Sequence, residues 1–442
     1  MERYRLRKKI VLWLVVILAF SFAGCSKQAQ EAEIKTLTLA VVQSENTVQS
    51  SNLAKWVNHY NETHSDVQIE IVNYLSDHME LEDAFNQIKI EINAGKGPDM
   101  INFGRQYSPL DASCGMMADL YPFLQKDASF KQQDFFYNIM EAFEVGESLY
   151  VIVPGYAIDT YATTNKELAG LERMNMKQLI DAYQTLDEES ILIPGETKSA
   201  VFAMFCYGCL EQYIDWEEGT CDFQSESFQE LLDFANSFPL HLNIAEDYSA
   251  KQIFEEGRAL LYPVSVDSAY KLTSARMLYG ETPTYIGYPF ESGYGSMAAI
   301  EDIAIGISAA SQNKEEAWEF ISSLLGREFQ DNVEGLPLRI ASLEQRLEDA
   351  MKPEYDAKGE KVAKEYLRFD GEDPVGIYEI TEEDAESLKA IIGKVEFPQT
   401  TDYNLYNIIL EEAAYLFNED RDVEAVSDTI QKRASIYVSE MK

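Results

Sequence analysis

The chain has 442 residues, with 36 Lys and Arg against 76 Asp and Glu, so its formal net charge at pH 7 is −40. This acidic excess argues against nucleic acid as a partner, because nucleic-acid binding depends on clustered Lys and Arg that neutralise phosphates. The length exceeds one ordinary hydrophobic core and predicts two domains. The four histidines show no metal-ligand spacing, so we expect no metal or other cofactor.

Residues 1–24 have the layout of a signal peptide. Five basic residues in MERYRLRKK precede the apolar run IVLWLVVILAF, which is too short to span a bilayer but fits the apolar core of an export signal. The small residues Ala23 and Gly24 then precede Cys25, which resembles the lipobox of bacterial lipoproteins. Phe22 stands where Leu is more usual in that motif.

The lipobox resemblance implies that Cys25 becomes the mature N-terminus and carries a diacylglycerol lipid. Residues 25–34 would then be a lipidated tether, and the protein would lie at the extracellular face of the bacterial cell membrane. Ordinary cleavage to a secreted protein and an uncleaved anchor are the alternatives.

The mature chain begins with alternating strand and helix patterns. LTLAVV is a buried-strand run, NTVQSSNLAKWVNHYNETH fits a helix, and VQIEIVNY alternates apolar and polar residues as a strand does. LEDAFNQIKIEINAG carries apolar residues at spacings of three and four, which predicts an amphipathic helix. These units favour an α/β fold with a parallel sheet covered by helices.

The stretch AGKGPDMINFG raises a choice between a phosphate-binding loop and a joint between a helix and a strand. A Walker loop needs Gly-Lys-Ser/Thr leading into a helix, whereas here a helix comes first. Gly95 suits the left-handed conformation that ends a helix, and Pro98 prevents the helix from restarting. We therefore predict a helix that stops at Gly95, followed by a short buried strand that ends at Gly104.

Four cysteines follow Cys25, namely Cys114, Cys206, Cys209 and Cys221. Neither they nor the histidines have the spacing of a zinc site. We expect buried free thiols, with a disulfide as the alternative, because pairing cannot be deduced from sequence.

Six segments, in their order along the chain, carry a resemblance to a known family. They are TLTLAVVQ, VQIEIVNY, AGKGPDMINFG, SLYVIVPGYAIDTYATTNKEL, IFEEGRALLYPVSVDSAY and IAIGISAASQNKEEAWEFISSLL. Over nearly the whole mature chain they resemble the extracellular solute-binding proteins of ABC importers, the group 1 family that includes maltose-binding protein. Where the family usually has YYN, this chain departs from the pattern with Thr163, Thr164 and Asn165.

The resemblance implies an α/β, two-lobed periplasmic-binding-protein-like fold with a hinge and an interlobe ligand cleft. Residues 35–155 and about 285–330 would form the first lobe, and about 158–284 and 335–442 the second. The hinge would lie near Pro154. The implied function is a monomeric receptor that binds a carbohydrate, an oligosaccharide in our reading, by lobe closure and delivers it to membrane permease subunits.

Candidate ligand-binding residues are those expected at strand ends, at the hinge or in the family's ligand-facing helix. Sugars present a polar rim and an apolar C–H face, so their sites combine aromatic rings with carboxylates and amides. The candidates are Gln43, Glu45, Phe103, Tyr107, Tyr156, Asp159, Tyr262, Asp267, Tyr294, Tyr403 and Tyr406. The strongest are Gln43, Glu45, Phe103, Tyr262 and Tyr403. For each tyrosine the alternative is a ring that fills the core with its hydroxyl at the surface.

Two alternatives to a sugar receptor remain. A binding lipoprotein for a polyamine or peptide would share the architecture, and an acidic, Tyr-rich cleft would suit a cation. A carbohydrate-active enzyme would need a suitable pair of carboxylates. The sequence contains no Gly-x-Ser-x-Gly elbow, metal-spaced histidines or Walker motif, so we expect binding without catalysis.

Overall fold

The structure of the chain is a computed structural model, which describes residues 34–76, 78–109, 115–171, 173–187, 189–216, 218–242, 250–291, 295–368, 373–400, 402–419 and 421–440. The strands are β1 (Lys35–Val41), β2 (Val67–Asn73), β3 (Met100–Asn102), β4 (Glu144–Val145), β5 (Ser148–Leu149), β6 (Gly155–Thr163), β7 (Ile214–Asp215), β8 (Thr220–Cys221), β9 (Tyr262–Val266), β10 (Thr284–Tyr285), β11 (Met297–Ile300), β12 (Ile305–Ile307), β13 (Leu336–Pro337), β14 (Glu354–Tyr355), β15 (Lys361–Val362), β16 (Glu365–Leu367), β17 (Val375–Ile377) and β18 (Phe397–Gln399).

The α-helices are α1 (Glu45–Ser50), α2 (Asn52–Thr63), α3 (Leu81–Asn93), α4 (Tyr121–Lys126), α5 (Tyr137–Ala142), α6 (Lys166–Ala169), α7 (Met176–Gln184), α8 (Lys198–Cys209), α9 (Glu226–Asn236), α10 (Ala250–Glu255), α11 (Ala269–Tyr279), α12 (Lys314–Ser323), α13 (Arg327–Gln330), α14 (Ile340–Ala350), α15 (Glu382–Ile392), α16 (Tyr403–Glu419) and α17 (Val423–Glu440). Short 3-10 turns span Gly104–Gln106, Gln132–Asp134 and Leu210–Tyr213.

The first lobe is built on a sheet with the strand order β12-β3-β1-β2. Strand β1 pairs in parallel with β2 and with β3, while β12 runs antiparallel to β3. Helix α2 connects β1 to β2, and α3 connects β2 to β3, so the predicted βαβ units are confirmed.

The joint between α3 and β3 has the predicted form. Helix α3 ends at Asn93, and Gly95 follows with a φ of 69°, the left-handed conformation that glycine adopts most easily. Strand β3 then begins at Met100 and is buried throughout. The stretch is therefore a helix stop and a strand, and no helix begins where a phosphate loop would need one.

The second lobe is built around β6, which pairs antiparallel with β9, β10, β11 and β13. Strand β11 pairs in parallel with β18 at its other edge. We expected the first lobe to resume at about residue 285, but β10 and β11 lie in the second sheet. Because residues 297–300 are in register with 156–159 of β6, the chain returns to the first sheet only at β12.

The chain passes between the two sheets three times, in segments that lie close together. The first passage enters β6 at Gly155, the second lies between β11 and β12, and the third leads from α13 to β13. A Cβ atom on Gly155 would lie 2.2 Å from the carbonyl oxygen of Glu334, so the first and third passages touch at a position where only glycine fits.

Gln330 ties the passages together from a fully buried position. Its side-chain nitrogen donates to the carbonyl oxygens of Pro154 and Leu324, both at 2.9 Å, and its side-chain oxygen accepts from the Arg339 backbone at 2.9 Å. Since Pro154 belongs to the first passage and Arg339 follows the third, one amide joins the two.

Two clusters of buried apolar residues form the core. One contains the first sheet and continues through the passages by way of Val153, Tyr156 and Ile300. The other lies in the second lobe and includes Tyr161, Phe202 and residues of α16 and α17. Cys206 and Cys209 are buried free thiols and Cys221 is a half-buried one, whereas Cys114 lies outside the described residues.

Candidate functional site

A cavity of about 210 Å³ opens between the two lobes. The first lobe contributes Arg105 to its lining, and the strands and helices of the second lobe contribute most of the rest. The lining residues are Arg105, Asp159, Tyr207, Ser265, Ala299, Ile300, Glu301, Gln399 and Tyr403. The strand ends therefore meet at a polar cleft that borders the second passage, as binding sites of open α/β sheets do.

Arg105 reaches the cleft because of the turn that ends β3. Gly104 has a φ of 53°, and a Cβ atom there would lie 3.1 Å from the carbonyl oxygen of Asp302. The Arg105 side chain donates from Nε to the Glu301 carbonyl oxygen and from Nη2 to Glu301 Oε2, both at 2.7 Å. The Arg105 side chain remains 67% exposed, so it is held by Glu301 and still faces the cleft.

Asp159 is the carboxylate that β6 presents to the cleft. It lies opposite Ser265 of β9 and Met297 of β11. Burial raises the pKa of Asp159, while a hydrogen bond from Ser265 and the positive charge of Arg105 act to lower it.

Glu301 has a similar electrostatic setting. Burial raises its pKa, the contact with Arg105 acts to lower it, and the negative charges of Asp267 and Glu334 raise it further. The described lining of the cleft therefore combines one guanidinium, Arg105, with two carboxyl groups, Asp159 and Glu301.

Two tyrosines and an amide complete the second-lobe wall. Tyr207 stands near the end of α8, Gln399 ends β18, and Tyr403 begins α16, where it is 48% exposed. Burial raises the pKa of Tyr207, and the adjacent Tyr403 hydroxyl raises it further, while a hydrogen bond with Gln399 acts to lower it. The three polar groups therefore form one hydrogen-bonding cluster.

The cleft continues into a second cavity, which shares Tyr403 with the first. Phe85, Lys89 and Gln106 line it from the first lobe, and Asp402 and Tyr437 line it from the second. The two cavities therefore meet at Tyr403.

Three of the residues predicted for the cleft are buried in the core instead. Phe103 and Tyr107 are each 3% exposed, and Tyr156 is 0% exposed. Phe103 stacks on Phe85 at 5.9 Å between ring centroids and meets Tyr107 edge-on at 5.9 Å. These rings fill the space beneath the turn that ends β3, because that turn directs Arg105, and not its aromatic neighbours, to the cleft.

Of four other residues predicted for the second lobe, two line the cleft and two do not. Asp159 and Tyr403 line the cleft. Asp267 is not among the lining residues; it pairs with Lys271 at 3.7 Å and its charge acts on Glu301. Tyr262 is half-buried against Phe254, with 5.1 Å between ring centroids.

Tyr406 and Gln43 are held by the protein itself. The Tyr406 hydroxyl donates to the Ala203 carbonyl oxygen at 3.1 Å, which joins α16 to α8. The Gln43 backbone bonds to the Asn73 side chain, and its own side chain lies near Gly104 and acts to lower the pKa of Asp302, which burial raises.

The remaining predicted residues cannot be placed. Cys25 and Tyr294 lie outside the described residues, and α1 begins at Glu45, whose side chain also lies outside what is described.

Sequence reasoning missed Arg105, Tyr207, Ser265, Glu301 and Gln399. A signal existed for Arg105, which follows the predicted strand end by a few residues, and for Gln399, which precedes the ligand-facing helix. Tyr207 lies in the helix AVFAMFCYGCL, where apolar residues surround it on all sides and no periodicity marks one face.

Within the residues that the structure describes, no group of three or more His, Cys, Asp and Glu side chains has the arrangement of a metal site. None of the described helices combines the length and apolar character required for crossing a membrane.

Two α/β lobes joined by three passages, with a polar cleft between them, define a two-lobed solute-binding protein. The chain belongs to the bacterial extracellular solute-binding proteins, whose family model matches residues 44–331. These are maltose-binding-protein-like proteins of ABC transporters that act outside the cytoplasm, and the family is one of binding proteins and not of enzymes. No protein of curated function matches the chain in sequence.

Solved structures support the fold. The sugar-binding protein MalE from Xanthomonas citri is 14% identical with a TM-score of 0.53, over 92% of this chain and 98% of that one. A cyclo/maltodextrin-binding protein complexed with maltotetraose is 14% identical with a TM-score of 0.52, over 93% and 100%. A de novo designed cysteine esterase is 13% identical with a TM-score of 0.56, over 92% and 99%. At these identities the likeness establishes the fold and not the solute.

Proposed function

We propose that this protein is a lipid-anchored receptor of an ABC importer that binds an oligosaccharide in the cleft and delivers it to a membrane permease. The observation that carries the proposal is the composition of the cleft. Arg105 of the first lobe faces Asp159, Tyr207, Gln399 and Tyr403 of the second. A solute held there contacts both lobes at once.

The chemistry of the lining suits a sugar. Hydroxyl groups both donate and accept, and the cleft offers a guanidinium, a carboxylate, an amide and phenolic hydroxyls to pair with them. The rings of Tyr207 and Tyr403 offer apolar surface to C–H groups. The continuation of the cleft past Tyr403 provides room for more than one sugar unit, and similar folds bind sugars and maltotetraose.

Lobe closure couples binding to transport. A solute stabilises the closed form only by its differential affinity for that form, and moving a population from about 1% to about 99% closed requires roughly 5.5 kcal/mol. The three passages are where the backbone would absorb the motion. The lipid on Cys25 would keep the receptor near its permease.

A thermal-shift screen of the purified mature domain tests the proposal, with mono- and oligosaccharides, polyamines and peptides in the same plate. A solute at a hundred times its Kd should add about 2.7 kcal/mol of stability. Small-angle scattering with the best solute should show a smaller radius of gyration. A shift with peptides but not with sugars, or an unchanged scattering profile at saturation, would refute this function.

A further inference from the structure

The charges of the cleft do not balance. Arg105 and Glu301 form an ion pair at 2.7 Å, which neutralises both. Among the residues that the structure describes, Asp159 is then the one charged residue of the lining that has no oppositely charged group at ion-pair distance. Arg105 is the single Lys or Arg of that described lining, so the pocket keeps a negative charge.

The surroundings add to this surplus. Asp267 and Glu334 act on Glu301, and Glu334 also acts on Asp302, in each case raising the pKa of the affected carboxyl. The cleft wall is thus a region of negative potential, in which a solute with a positive charge is stabilised and an anion is not.

The groups next to Asp159 match the donors of an ammonium. An ammonium has three N–H donors and no acceptor. Asp159, the Tyr207 hydroxyl and the Gln399 side-chain oxygen offer three acceptors in one cavity, with the Tyr403 ring beside them. Tyrosine rings also attract cations through their electron-rich faces.

We propose that the solute carries a protonated amine that binds at Asp159 between Tyr207 and Tyr403. The assignment rests on the proposed function, since it concerns the same cleft. An amino sugar and a linear polyamine share this chemistry, and the choice of probes separates them.

Titration calorimetry at about pH 6.5 and low salt, where the probes are protonated, compares four compounds. They are the β-1,4-linked glucosamine disaccharide, its N-acetylated counterpart, cellobiose and spermidine. The glucosamine disaccharide should bind at least about ten-fold more tightly than the two neutral disaccharides, and the preference should shrink at high salt.

Asp159→Asn keeps the shape of the side chain and removes its charge, so it should abolish that preference. Asp181→Asn is the matched control, because its carboxyl on α7 is 62% exposed, pairs with Lys177 at 3.9 Å and lies outside the cleft lining. The control should keep the preference within about two-fold. Circular dichroism checks that both variants fold. If one does not, the comparison of the disaccharides on the wild-type protein still tests the proposal.

Binding of spermidine without binding of any disaccharide would support a solute with a protonated amine and refute a carbohydrate solute. Equal or tighter binding of cellobiose or the N-acetylated disaccharide would refute the amine and leave the sugar receptor intact. Failure of both amine-bearing probes to bind, or an unchanged preference in Asp159→Asn, would also overturn the assignment.

Discussion

Tyr403 and Phe103 were both expected in the cleft, yet their side chains have different environments. Tyr403 is 48% exposed and lines the cavity, whereas Phe103 is 3% exposed and stacks in the core. Their truncation should therefore affect different properties of the protein.

Tyr403→Ala should weaken binding of the identified solute by about 2 kcal/mol or more, as truncation of an aromatic anchor does, with little change in unfolding free energy. Phe103→Ala should cost about 3–5 kcal/mol of stability, because it leaves a cavity in the first lobe. Calorimetry and urea unfolding measure the two effects. Equal loss of stability in both variants would contradict the placement of Tyr403.

The sequence located part of the cleft wall. Asp159 and Tyr403 were found because they stand at the hinge strand and at the start of a recognisable helix. Tyr156 could not be excluded on the same grounds, because β6 is buried on both faces and shows no alternation of apolar and polar residues. Which of its residues opens to a cleft depends on the neighbouring strands, and local pattern carries no information about them.

Among the elements, those of the first lobe could be predicted most fully. The strands β1, β2 and β3 and the helix stop at Gly95 follow from periodicity and turn chemistry alone. The position of β11 in the second sheet could not be predicted in this way. An apolar run such as SMAAI predicts a strand, but it does not indicate which strand it pairs with. The pairing of β11 with β6, and its register, are seen only in the folded structure.

The contact between passages at Gly155 gives a prediction for an element boundary. Gly155→Ala would place a Cβ atom 2.2 Å from the Glu334 carbonyl oxygen and 2.6 Å from the Val333 side chain. We expect a loss of about 1–3 kcal/mol or more in unfolding free energy, because backbone must move to make room.

Gly393→Ala is the control for that variant. Gly393 has a helical φ of −65°, and the nearest atom to an added Cβ lies at 3.5 Å, an ordinary contact. Urea unfolding should show a near-neutral effect for Gly393→Ala. Similar unfolding free energies for the two variants would show that the passages are not packed as described.

For the whole molecule, buried acids predict how stability depends on pH. Burial raises the pKa of both Glu196 and Glu211 to about 7, from an ordinary value of 4.5. A group whose pKa is higher in the folded state binds more protons there, so its contribution to stability is greatest below about pH 4.5 and falls as pH rises to about 7.

Glu211→Gln should remove the part of this pH-dependent loss of stability that Glu211 causes, because the amide does not ionise. Trp216 donates to the Glu211 carboxyl at 2.7 Å, and the amide oxygen can accept that bond. The measurement is the difference in unfolding free energy between about pH 5 and about pH 8, with the exposed Glu348→Gln as control. A pH dependence identical to that of wild type would contradict the burial of this carboxyl.

The proposed membrane attachment is tested on the intact precursor. Cys25→Ala should release mature protein to the medium or leave an unprocessed precursor, because the lipid would have no thiol to join. Labelling with a radioactive fatty acid and membrane fractionation report the outcome. A variant that is still lipid-labelled would refute the lipobox interpretation.

The three passages also determine how much of the chain each sheet needs before it can be completed. Strand β3 lacks its neighbour β12 until residues 305–307 are available, and β6 lacks β13 until residues 336–337. Strand β11 waits longer still, for β18 at residues 397–399. Pairings so distant in sequence form slowly, so neither sheet can be complete until most of the chain is available. The interleaved topology therefore makes the folding of both lobes depend on residues far downstream, and a fragment that ends before residue 305 lacks a partner strand in each sheet.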